Sequence, residues 1–213
     1  MVKNIFFDLD GTITDSQEGI FNSIRYALAS TGLSLSAAAL RSFIGPPLLE
    51  SFQRECGQNE AQARASVAQY REYYAKKGIF ECSVYAGIAP LLADLHASGK
   101  KIYLATSKPE NFAQQILEYF HLEQYFSFVA GAELQGARQS KEAVLRYLLA
   151  QCALPAHDCV LVGDRKHDAL GAAAVGLPCI GVLYGFGSQQ ELELAGAQWI
   201  CQDVAALRAQ LLS

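Results

Sequence analysis

The stretch Asn4–Ser16 reads NIFFDLDGTITDS. An apolar run, Ile5–Phe7 with Leu9, meets two aspartates, Asp8 and Asp10, set two apart and followed by Gly11-Thr12. A run of this kind predicts a buried strand over residues 4–9, and carboxylates at its end are costly to bury unless something pairs with them. Side chains alternate along an extended chain, so both acids point to one side. They call for a shared partner.

The remainder of the chain bounds what that partner is. Its 213 residues are 51% hydrophobic and 18% charged, enough to bury a core and unlike a disordered chain. A formal net charge of -4 and a pI near 5.6 argue against nucleic acid or an anionic membrane surface as the main partner. No window approaches the roughly 20 apolar residues of a membrane span. The first residues lack the apolar core of a signal peptide, so a cytoplasmic protein is expected. Six cysteines show no C-x-x-C pair and no zinc spacing, and reduced, mostly buried thiols are expected.

Beyond this stretch, β-like runs recur at residues 101–106 (KIYLAT), 126–130, 159–162 (CVLV) and 178–182. Between them, residues 87–98, 109–120, 140–152 and 167–175 carry apolar residues at helical spacing. Alternation of this sort predicts an α/β fold with a parallel sheet flanked by helices. Residues 16–82 break the rhythm with helices over 17–30, 36–43, 48–56 and 60–77, punctuated by IGPPL at Ile44–Leu48. The organisation expected is an α/β core of residues 1–15 and 83–213 with an inserted all-helical segment, 16–82, over the acidic motif.

Ligands of α/β sheets bind beyond the carboxyl ends of the strands. Those ends carry Asp8 and Asp10, then Thr106, Ser107 and Lys108, then Gly163 and Asp164, with Asp168 four residues on. Crowded carboxylates suit a hard divalent cation such as Mg2+, which keeps waters and takes up phosphate oxygens. One carboxylate can attack phosphorus while a second moves protons, and a hydroxyl and an ammonium stabilise the phosphoryl oxygens. Alone, Thr106 reads equally as a helix cap, and Lys141 as a solvated first-turn lysine no better marked than Lys108. His167 reads as solvated, and Tyr184-Gly-Phe-Gly as a tight turn rather than a dinucleotide motif.

Taken together, DLDGT at Asp8–Thr12, ATSKP at Ala105–Pro109, Lys141 in QSKEAV and GDRKHD at Gly163–Asp168 resemble, in order and spacing, the four motifs of the haloacid dehalogenase superfamily. The helical insertion resembles the C1 cap of its phosphoglycolate phosphatase-like branch, and FIGPPL with the tail IGVLYGFGSQQELELAGA resembles bacterial 5'-nucleotidases and phosphoglycolate phosphatases. That resemblance implies a Rossmann-like core and a Mg2+-dependent phosphomonoesterase acting on a small phosphorylated metabolite. It implies Asp8 as nucleophile, Asp10 as general acid/base, Thr106 and Lys141 as phosphoryl-binding catalytic residues, Asp8, Asp10 (by its carbonyl) and Asp164 around Mg2+, and Asp168 either as a further ligand or as an acid just behind the ligands. Substrate contacts are expected at Gly11, Thr12, Ser107 and, in the cap loop, Gly45.

Alternatives on the same scaffold are a β-phosphoglucomutase-type phosphotransferase, a pyrophosphatase, and a metal-independent dehalogenase, for which an acid at position 10 would be superfluous. A receiver domain also gathers acids, a hydroxyl and a lysine, but it is shorter and carries its phosphoacceptor on the third strand. Neither the substrate nor the oligomeric state is legible.

Overall fold

The structure, a computed structural model, describes residues 2–134 and 136–213. In chain order it runs β1 (Asn4–Phe7), β2 (Thr14–Asp15), α1 (Gln17–Leu28), α2 (Ala37–Arg41), α3 (Leu48–Cys56), α4 (Glu60–Lys76), β3 (Ser83–Val84) and α5 (Ile88–Ala97). Then follow β4 (Lys101–Pro109), α6 (Glu110–Tyr119), β5 (Phe126–Ala132), α7 (Lys141–Gln151), β6 (Cys159–Gly163) and α8 (Lys166–Ala174). The chain closes with β7 (Cys179–Val182), α9 (Gln189–Leu194), β8 (Trp199–Cys201) and α10 (Val204–Leu212). It divides into two compact units, one ending at Thr14 and resuming over Val84–Ser213, the other Asp15–Ser83.

The first unit holds a parallel sheet in the order β5-β4-β1-β6-β7-β8. Strand β1 is central and buried along its whole length, as its unalternating apolar run demands. From β1 the chain winds outward through β4 and β5, then returns to β6 on the other flank of β1. The order therefore reverses at β1, and a crevice for ligands opens beyond its carboxyl end. Phe6, Tyr103 and Leu161 of the sheet pack with Val144, Leu145 and Leu148 of α7 and with Ala169 and Ala172 of α8. That packing fixes α7, and Ser140 caps it by accepting a hydrogen bond from the Ala143 N–H at 3.1 Å.

The strands and helices expected from sequence are present with shifted ends. Strand β4 was expected to stop at Thr106 and instead runs to Pro109, which pairs with Ala132 past an irregularity after Ala105. The residue before a proline is driven away from helical backbone, so the chain stays extended through Lys108 and α6 starts at Glu110. Three short strands (β2, β3, β8) and the last two helices, α9 and α10, had no counterpart in the sequence reading.

The second unit is built from helices. Helix α1 buries Ile20, Phe21, Ile24, Ala27 and Leu28, and α4 buries Ala63, Val67, Tyr70 and Tyr74. Asn59 and Gln62 form a reciprocal capping box at the start of α4. The expected helices over 36–43 and 60–77 are shorter, Ala37–Arg41 and Glu60–Lys76. Among the described residues no helix is long and apolar enough to cross a membrane.

Candidate active site

The Asp8 N–H donates to the Val162 carbonyl at 2.9 Å, carrying the sheet ladder one residue past β1. The chain then folds on itself: the N–H groups of Ile13 and Thr14 both donate to the Leu9 carbonyl at 2.9 Å. Leu9 is fully buried, while the Asp8 and Asp10 side chains flanking it are 13% and 19% exposed. Gly11 has φ +83°, and a Cβ there would run into the carboxylate of Asp164, so only glycine lets this turn approach so closely.

Carboxylate oxygens of Asp8, Asp164 and Asp168 lie within 4.8 Å of one another. Asp164 Oδ2 accepts the Phe186 N–H at 2.7 Å. Asp164 Oδ1 is buried with no hydrogen-bond partner among the described residues. Asp168 Oδ2 accepts the Arg165 N–H at 3.0 Å, capping α8. Asp10 is not part of this trio; its Oδ2 is 2.9 Å from Lys108 Nζ.

Lys141, the first residue of α7, is buried rather than solvated. Its Nζ lies 2.8 Å from both Asp8 Oδ1 and Asp168 Oδ1 and donates to the Ala105 carbonyl at 2.8 Å. Its stem passes Gly171 of α8, where a Cβ would come within 2.6 Å of Lys141 Cγ. Thr106 is buried and its Oγ1 accepts the Lys108 N–H at 3.1 Å. That bond uses a lone pair and not the hydroxyl hydrogen, and it closes a turn instead of capping a helix.

These contacts set the electrostatics. Burial, opposed by Lys141 and reinforced by Asp168 and Asp10, pushes the Asp8 carboxyl up to about 6. Burial, then the charges of Asp168 and Asp8, raises Asp164 well above its usual range. Burial works against the Lys141 ammonium, yet Asp168 and Asp8 outweigh it and raise its pKa. Four carboxyl groups share two ammoniums, those of Lys108 and Lys141. That surplus of acids, the trio's spacing and the orphaned Asp164 Oδ1 fit a divalent cation with oxygen ligands.

The core thus brings together Asp8, Asp10, Gly11, Thr106, Lys141, Asp164 and Asp168. Thr12 is buried in the same turn, its hydroxyl without a partner among the described residues, and Ser107 is half-buried at the irregular end of β4. Gly45 belongs to the helical unit, with φ +106° between α2 and α3, and is not among the residues the core gathers. His167 is half-buried, not solvated, and burial with nearby Arg165 and Lys166 lowers its pKa. Sequence reasoning passed over the Lys108 pairing with Asp10, the Phe186 N–H and the space left by Gly171. Only the first had a signal, a lysine two residues after Thr106.

A profile described as haloacid dehalogenase-like hydrolase matches residues 5–182. The chain belongs to the haloacid dehalogenase-like hydrolase family. It is 46% identical over 211 residues to a 5'-nucleotidase of Pseudomonas aeruginosa strain PAO1, covering 99% of this chain and 96% of that protein. It is 44% identical to the tyrosine-protein kinase PtkA of Mycobacterium tuberculosis strain H37Rv, over 86% of this chain and 62% of that one. A phosphoglycolate phosphatase of Yersinia pestis is 36% identical over 87% of this chain and 82% of its own. Among solved structures, a predicted phosphatase from Clostridium acetobutylicum superposes with a TM-score of 0.94 at 41% identity, covering 100% and 99% of the two chains. The expected fold is therefore the observed one, and the chain is a hydrolase of the phosphatase type.

Proposed function

We propose that this member of the family hydrolyses small phosphomonoesters, with 5'-nucleotides and phosphoglycolate-type metabolites as first candidates, through an aspartyl-phosphate at Asp8 and with Mg2+. The observation that carries the reading is the Lys141 ammonium set between Asp8 and Asp168 at 2.8 Å from each, beside an acidic trio with an orphaned oxygen. Asp8, Asp164 and Asp168, with the Asp10 carbonyl, would hold the cation. When bound it would offset their repulsion and polarise the phosphoryl oxygens.

An Asp8 oxygen attacks phosphorus and the ester P–O bond breaks, leaving the phosphoryl group on the carboxylate. Asp10 gives the departing alkoxide its proton and then takes one from the water that releases phosphate. Lys108 holds Asp10 Oδ2, so the proton is assigned to Oδ1, which is buried and has no hydrogen-bond partner among the described residues. The Thr106 hydroxyl hydrogen and the backbone N–H groups near Ser107 bind the phosphoryl oxygens, while Lys141 offsets the charge that gathers on them. Gly11 and Thr12 shape the floor beneath the phosphoryl group.

The relative named tyrosine-protein kinase favours a second reading, transfer of the phosphoryl group to a hydroxyl other than water. A panel of phosphorylated metabolites assayed with Mg2+ or with EDTA tests the first reading. Phosphate release that needs the metal is expected. Transfer to an acceptor hydroxyl without phosphate release would favour the second.

A further inference from the structure

The loop Tyr184–Gly187 follows β7. Besides the Phe186 N–H on Asp164 Oδ2, the Tyr184 O–H donates to the Thr12 carbonyl at 3.0 Å. The Tyr184 ring stands edge-on to Tyr85, with centroids 5.1 Å apart and planes at 65°. A Cβ on Gly185 would strike the Gly11 carbonyl and come within 2.6 Å of Asp164 Oδ2. A Cβ on Gly187 would strike the Asp164 carbonyl. A Cβ on Gly11 would strike the same carboxylate. Three segments, ending β1, β6 and β7, thus close on one aspartate with no room for a methyl group between them. Asp164 Oδ2 is held by the backbone, and Oδ1 is the oxygen left over.

We propose that Tyr184 and Gly185 are positioning residues for the divalent cation, holding the Asp8–Thr12 turn and the Asp164 carboxylate in the geometry that binds it. Tyr184 fixes the turn through Thr12, and Gly185 lets the loop lie flat against Gly11 and Asp164. Groups that orient metal ligands change metal affinity about 10- to 100-fold when removed. The inference rests on the Mg2+ reading above, and its test reads the metal rather than turnover.

Mg2+ is titrated calorimetrically into the full chain, wild type, Tyr184→Phe and Gly185→Ala, with metal-free thermal unfolding run in parallel. Tyr184→Phe keeps the ring against Tyr85 and removes only the O–H. The expected result is a Kd raised about tenfold for Tyr184→Phe and further for Gly185→Ala. A wild-type Kd in Tyr184→Phe, with or without a lower melting temperature, would assign the loop a structural part only and overturn the inference. A wild-type chain that binds no Mg2+ would overturn the metal reading and this inference with it.

Discussion

Lys108 Nζ lies 2.9 Å from Asp10 Oδ2, and the two side chains are 6% and 19% exposed. The two acids of the Asp8–Asp10 turn therefore meet different ammoniums, Asp8 that of Lys141, shared with Asp168, and Asp10 that of Lys108. A proton-transfer group contributes about 10²- to 10⁴-fold only when it is held in place. Lys108→Met should lower kcat about 100-fold with a smaller change in KM. Steady-state kinetics on the best substrate checks this, and an unchanged kcat would show that the pair has no part in proton transfer.

Lys141→Met tests the other ammonium through stability. The substitution keeps the stem but strips the counter-charge from Asp8 and Asp168. Removing one partner of a buried ion pair costs about 3–5 kcal/mol. Urea unfolding of the metal-free protein at pH 8 should show a loss of that size, shrinking at low pH as the Asp8 carboxyl takes up its proton. A loss below about 1 kcal/mol, as for an exposed pair, would contradict the buried arrangement.

The raised Asp8 carboxyl gives a pH signature. Folded, it keeps its proton up to about 6, whereas the unfolded chain releases it near 3.8. The folded state therefore binds more protons across that window, and metal-free stability falls as pH rises through it, by about 3 kcal/mol at most from this group. A bound cation needs the carboxylates unprotonated, so its stabilisation grows over the same range. Thermal melts with and without Mg2+ should show a larger shift at pH 8 than at pH 5. An equal or larger shift at pH 5 would contradict the assignment of the trio.

Gly171→Ala sets local propensity against the site. Inside α8, alanine is better than glycine by about 1 kcal/mol. Its Cβ, however, would stand 2.6 Å from Lys141 Cγ and 2.9 Å from Lys141 Cβ. Displacing a catalytic group by about 1 Å can cost about 100-fold. The variant is expected to be soundly folded by circular dichroism yet at least tenfold slower. Wild-type activity with raised stability would show that Lys141 has room to move.

The central strand, the acidic turn and the alternation of strands and helices were legible because each is written locally, in apolar runs and in Gly-Thr or Pro punctuation. The burial of Lys141 and Lys108 was not. A lysine's neighbours in sequence do not reveal that Asp8 lies 2.8 Å from one and Asp10 2.9 Å from the other. Strand β8 escaped because Trp199–Cys201 is too short for a period, and α9 because Gln189–Leu194 is mostly polar. The loop at Tyr184–Gly187 looked like a turn since its use depends on Gly11 and Asp164, both remote in sequence.

The claim that Asp8 carries the phosphoryl group is tested most directly by acid-quenching the enzyme during turnover and locating the adduct by peptide mass spectrometry. A phosphoryl group on Asp8, absent from an inactive Asp8→Asn variant, is the predicted result. Full phosphatase activity in Asp8→Asn, with no phosphoryl group on the wild-type peptide, would contradict it.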